Sequence, residues 1–157
     1  FAISITTFVG QNYGAGKVKR MRKSVGICLG MAYAGAFLVS GVLYALAAPL
    51  YRLFTTDAKV VQIGVDMMHF LLPSYFLYVA IGILSGALRG AGRVLVPMLL
   101  TCGGVCFFRI VWMFGVFPGY PGINTIMLSY PVSWGITAVL FIIYYIRRFP
   151  KVKRIQE

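Results

Sequence analysis

Charge is absent from long stretches of this chain and crowded into short ones. No charged residue occurs between Ser24 and Tyr51. A helix that crosses the hydrocarbon core needs about 20 apolar residues. The pattern therefore predicts a first complete span at about 27–50, ending near Pro49. A polar interruption follows at Arg52, Thr55, Thr56, Asp57 and Lys59. A second span at about 61–86 carries Asp66, His69 and Pro73. Arg89, Gly90, Gly92 and Arg93 predict a loop, and a third span at about 95–117 contains Arg109. The run Pro118-Gly119-Tyr120-Pro121-Gly122 predicts a turn, because its prolines and glycines cannot continue a helix. The fourth span is about 125–146, and residues 1–13 read as the tail of an earlier one. The expected fold class is all-α: a polytopic membrane helix bundle of four full transmembrane helices and the end of a fifth.

Composition agrees with a membrane protein. Hydrophobic residues make up 60% of the chain and charged ones 11%, and the mean hydropathy is +0.85. An average soluble domain carries roughly 25% charged residues. Lys and Arg number 15 against 3 acids, a net charge of +12. By charge alone this suggests a nucleic-acid partner, but sorting by loop gives a topology instead. Lys17, Lys19, Arg20, Arg22 and Lys23 precede the first span, and Arg89 and Arg93 follow the second. Arg147, Arg148, Lys151, Lys153 and Arg154 follow the fourth, so these twelve share one side. Only Arg52 and Lys59 fall on the other. The positive-inside bias places the twelve, with the basic tail 147–157, in the cytoplasm. The expected partner of these clusters is the lipid bilayer, since each cation near an anionic surface gains about 1 kcal/mol. The chain opens at Phe1 inside an apolar stretch, without a secretory leader pattern. It reads as a piece of a longer chain in a cell membrane, with a cytoplasmic C-terminus.

Three ionisable side chains fall within spans, where they are costly and usually face protein or water. At about 1.5 Å per residue, Asp66 lies roughly 7 Å, and His69 and Arg109 roughly 12 Å, inside the outer edge. Asp66 and His69 share a helix face. Arg109 is expected to pair with Asp66 or to line an outer cavity beside His69. Pro73 removes a helix hydrogen bond and predicts a kink. Tyr75 and Tyr78 follow it on one face, where their rings suit a lipophilic cation or simple packing. Gly26 and Gly30, then Gly82, Gly86 and Gly90, fall four apart and suit close helix packing. Cys28, Cys102 and Cys106 read as small packing residues rather than metal ligands, because no neighbouring ligand set has metal spacing. No carboxylate pair or Ser-His-Asp set supports an enzyme.

Two segments carry a family resemblance. Val9-Gly-Gln-Asn-Tyr-Gly-Ala-Gly16, followed by the basic run, resembles a helix-end motif of the multidrug and toxic compound extrusion (MATE) transporters. Gly86-Ala-Leu-Arg-Gly-Ala-Gly92, followed by Val96-Pro97-Met98, resembles the motif after the tenth helix of that family. The motif residues are Gly10, Gln11, Gly14, Gly16, Gly86, Arg89, Gly90, Gly92 and Pro97. The resemblance covers essentially residues 1–157. It implies part of the C-terminal lobe of a twelve-helix transporter: the end of helix eight, then helices nine to twelve. It also implies two six-helix lobes around a central cavity, and export of organic cations or drugs in exchange for Na⁺ or H⁺ by alternating access. Some members carry an acid on helix ten, eleven positions before the motif arginine. Counting back from Arg89, that position is Tyr78. The resemblance then places the coupling ion mainly in the N-terminal lobe, with no other cofactor.

The leading expectation is thus a secondary active multidrug efflux antiporter. A lipid-linked oligosaccharide flippase of the same superfamily would need several charged residues facing a phosphorylated lipid, and Arg109 alone meets that need poorly. A non-transporting membrane scaffold would need no proline-broken helix beside aromatic residues.

Overall fold

The computed structural model describes residues 1–149. Most of the tail expected at 147–157 lies outside them. Among the described residues eight helices follow one another: α1 (Ala2–Gly14), α2 (Val18–Ala45), α3 (Ala47–Arg52), α4 (Ala58–Leu71), α5 (Tyr75–Gly90), α6 (Leu95–Thr101), α7 (Phe108–Gly115) and α8 (Ile123–Arg148). There is no strand among the described residues. A single 3-10 turn, Leu72–Ser74, joins α4 to α5, and a π-helical segment, Cys102–Phe107, joins α6 to α7. The result is four helices long and apolar enough to cross a membrane: Val18–Ala45, Ala58–Gly90, Leu95–Gly115 and Ile123–Arg148. The chain is a multi-pass membrane protein.

The helix limits correct the sequence expectation at several points. The first span was expected at 27–50, but α2 runs Val18–Ala45. The basic residues Lys19–Lys23 are therefore on its first turns and not in a loop. Lys and Arg are good helix formers, so nothing local stops the helix there. At the other end the chain breaks at Leu46 and restarts as α3. Pro49 is the third residue of α3, where a missing N–H costs nothing. Arg89 and Gly90 likewise belong to α5 rather than to a loop. The last two spans begin or end two residues away from the expected 95–117 and 125–146.

Helix α5 is the centre of the bundle. Ala80, Ile81, Ile83, Leu84, Gly86, Ala87 and Leu88 are all buried, because α1, α2 and α8 pack around it. The core joins Ile5 and Val9 of α1 with Leu84 and Leu88 of α5 and Trp134, Ala138 and Phe141 of α8. The outer helices show the reverse. Phe37 and Leu38 of α2, Leu95 and Leu99 of α6 and Phe114 of α7 are exposed apolar residues. In water such a surface would be unfavourable, but in a bilayer it meets lipid.

Helices α1 and α5 run parallel and end in the same way. Gly16 and Gly92 have φ of +67° and +77°, the left-handed region that favours glycine. The N–H of Lys17 donates to the Asn12 carbonyl, and that of Gly16 to Tyr13. The N–H of Arg93 donates to the Leu88 carbonyl, and that of Gly92 to Arg89. Both ends are thus Schellman caps. This explains the two Gly-Ala-Gly motifs: each stops a helix and turns the chain back into the next one. Arg93 leaves its turn to donate from Nη1 to the Tyr144 hydroxyl on α8, at 3.0 Å. The turn after α5 and the C-terminal part of α8 therefore occupy one end of the bundle.

Candidate functional site

Pro73 lies in the 3-10 turn between α4 and α5. The chain tightens there into this one turn, and the helix resumes at Tyr75. Directly beyond it, Tyr75 and Tyr78 project to a groove of about 780 Å³. Its other walls come from α1, α2, α3 and α4, including Phe1, Ala36, Leu43, Tyr51, Met68 and Leu71. The lining is apolar and aromatic, with hydroxyls from Ser40 and the tyrosines as its polar groups. Such a surface can hold a flat lipophilic molecule by dispersion and ring contacts, with few directional demands.

The two tyrosines also belong to an aromatic cluster. Tyr75 and Tyr78 each place their ring centroids 5.4 Å from that of Trp134 on α8. Tyr130, one turn earlier on α8, is edge-on to Trp134 at 5.8 Å. The Arg109 guanidinium carbon sits 3.9 Å from the Tyr130 ring centroid and 5.7 Å from that of Trp134. Its Nε donates to Ser133 Oγ at 3.3 Å. Tyr130, Ser133 and Trp134 are spaced three and four apart, so one face of α8 presents all three to α7. Ser133 is fully buried, and its own hydroxyl donates to the Tyr130 carbonyl at 2.9 Å.

The pairing of Arg109 with Asp66 is not formed. Asp66 is exposed on α4, and its carboxylate accepts from Gln62 Nε2 at 2.9 Å, one turn away. Depth along two helices matched the residues but said nothing about which faces met. His69 is half-buried, and Arg109 is not among its partners. Its ring stacks on Tyr44 with centroids 3.9 Å apart, and Nε2 lies 3.1 Å from the Tyr44 carbonyl. That carbonyl is in the last turn of α2, where the break before α3 removes its usual helical donor. His69 thus ties α4 to the frayed end of α2.

The glycines divide. A Cβ on Gly86 would come within 2.6 Å of the Ala2 carbonyl oxygen, and one on Gly90 would strike the Thr6 carbonyl. These two glycines, with Gly10 opposite Gly90, let α1 and α5 touch backbone to backbone. Gly26, Gly30 and Gly82 have open space at the same position and are not close-packing sites in this structure. In the motifs, Gln11 and Arg89 are exposed and Pro97 is buried at the start of α6. Cys102 and Cys106 are exposed in the π-helical segment and not packed inside as expected, while Cys28 is half-buried. Among the described residues no group of three or more His, Cys, Asp or Glu could hold a metal.

Sequence reasoning missed Tyr130, Ser133, Pro131 and Trp134. The available signal was the proline inside α8, flanked by two aromatic residues four apart. It also missed the contact of Gly104 with Thr137, where the π-helical segment meets α8.

The four long apolar helices define a polytopic membrane helix bundle, and the chain belongs to the MatE family, whose model matches residues 1–114. Similar curated proteins include "Probable multidrug resistance protein YoeA" of Bacillus subtilis, 24% identical over 91% of this chain and 31% of that protein. "Probable multidrug resistance protein NorM" of Chromobacterium violaceum is 32% identical over 63% of this chain and 21% of its own length. A protein of the same name from Thermotoga maritima is 28% identical over 64% and 22%. The chain spans at most about a third of these relatives.

Proposed function

We propose that the chain supplies helices of the C-terminal lobe of a multidrug efflux antiporter. The whole protein exports organic cations or other drugs across a cell membrane, driven by Na⁺ or H⁺ through alternating access. The basic end of the bundle faces the cytoplasm. The observation that carries this reading is the apolar groove walled by Tyr75 and Tyr78 beside the Pro73 turn. The names of the relatives support the substrate class. In this chain Tyr78 stands where an acid would otherwise bind a cation, so coupling rests on the other lobe. Ring faces, not carboxylates, provide this lobe's attraction for a cation.

The test is uptake of a fluorescent cation into everted vesicles containing the full-length protein, which reports export in the native orientation. Tyr78→Ala at matched expression should lower this uptake several-fold, and unchanged uptake would overturn the role of the groove. Applying a Na⁺ or a pH gradient separately identifies the coupling ion.

A further inference from the structure

Arg109 is a cation seated on aromatic rings inside a membrane helix. Among the described residues no carboxylate pairs with it: Asp66 is held by Gln62, and Asp57 caps α4. Its partners are the Tyr130 face at 3.9 Å, the Trp134 ring at 5.7 Å and the Ser133 hydroxyl. Trp134 is also the ring against which Tyr75 and Tyr78 pack, and those two line the groove. One connected set of four aromatic rings therefore reaches from the groove to the guanidinium. Trp134 is only 7% exposed, so its faces are already covered.

We infer that Arg109 is a tethered competitor for cationic ligands. Its guanidinium occupies the ring faces that a flat, delocalised organic cation would use, and its charge repels such a cation from the adjoining groove. A ligand that reaches Trp134 and Tyr130 must displace the arginine from its seat. The residue thus sets specificity: it opposes cations by occupancy and repulsion together, and uncharged ring systems by occupancy alone. Two features make the seat releasable. The hydrogen bond to Ser133 is single and long, and α7 follows directly on the π-helical segment Cys102–Phe107. Such segments are less regular than α-helix and occur often at functional sites.

This inference rests on the proposed transport of organic cations. It is tested by fluorescence titration of the purified full-length protein with ethidium, and with 6-phenylphenanthridine as an uncharged ring system of similar shape. Arg109→Gln should tighten ethidium binding about threefold to thirtyfold, the range of one cation–π contact. Phenylphenanthridine binding should tighten less, and Arg109→Lys, which keeps the charge but loses the hydrogen bond to Ser133, should fall between wild type and Arg109→Gln. Ser133→Ala, which loosens the seat without removing the charge, should tighten ethidium about twofold to tenfold. If Arg109→Gln does not fold, the Ser133 variant decides alone. Unchanged or weakened ethidium binding overturns the inference, as does an equal change for both ligands. Failure of the wild-type protein to bind ethidium would instead count against the proposed function.

Discussion

The Thr6 hydroxyl on α1 donates across the helix interface to the carbonyl of Gly86 on α5, at 3.0 Å. The same hydroxyl lies 2.8 Å from the Ala2 carbonyl of its own helix. A side chain can reach a neighbouring helix backbone this way only where the two backbones nearly touch. Gly86 and Gly90 make that approach possible, and the consequences are measurable.

Gly86→Ala places a methyl against the Ala2 carbonyl oxygen and Ile5 Cγ2. Overpacking of this kind costs about 1–3 kcal/mol. Gly26→Ala and Gly30→Ala meet open space. They should be neutral, or stabilising by up to about 1 kcal/mol from helix propensity. Thermal unfolding of the purified protein in detergent compares the three. Equal effects at all of them would contradict the packing described.

At Gly16 and Gly92 the space around a Cβ is open but the backbone is left-handed. Alanine at either position should cost about 1–2 kcal/mol through backbone strain alone. Asparagine, which tolerates this conformation better, should cost less at both. The same unfolding measurement checks the order glycine, asparagine, alanine.

Gly104→Ala would drive a methyl into the Thr137 side chain, which is fully buried and donates to the Ser133 carbonyl at 2.7 Å. Combining it with Thr137→Ala should recover part of the loss. A double-mutant cycle is expected to give a coupling of about 0.5–3 kcal/mol. Strict additivity would mean that α8 does not contact the π-helical segment in the folded protein.

Asp57 caps α4 by accepting from the Lys59 N–H at 2.8 Å. Asp57→Ala should lower stability by about 1 kcal/mol, whereas Asp57→Ser should be nearly neutral. Equal losses for both variants would assign Asp57 a role other than capping.

The spans were legible in the sequence because solvent enforces them. Runs without charge, such as 24–51, have few alternatives to a membrane helix. The limits were less legible. Lys19 to Lys23 looked like a loop because they are charged, yet charge does not end a helix, and a Schellman cap at Gly16 does. The candidate site was half legible. Tyr75, Tyr78 and Pro73 are neighbours in sequence, and the groove forms beside them. The partner of Arg109 was not legible. Choosing between Asp66 and Tyr130 requires knowing which face of α7 meets which helix, and periodicity within one helix does not contain that. Opposite charge favoured Asp66, but Asp66 had a satisfactory partner one turn away in Gln62.

The two glycine caps stand in matching places on parallel helices, and each is followed by a basic residue and a valine. One short string of residues therefore occurs twice, in two settings: beside the central helix and at its own end. The protein carries a built-in comparison. A substitution made at Gly16 and then at Gly92 changes the same local geometry each time. The difference between the two results measures what the surroundings contribute, without reference to any other protein.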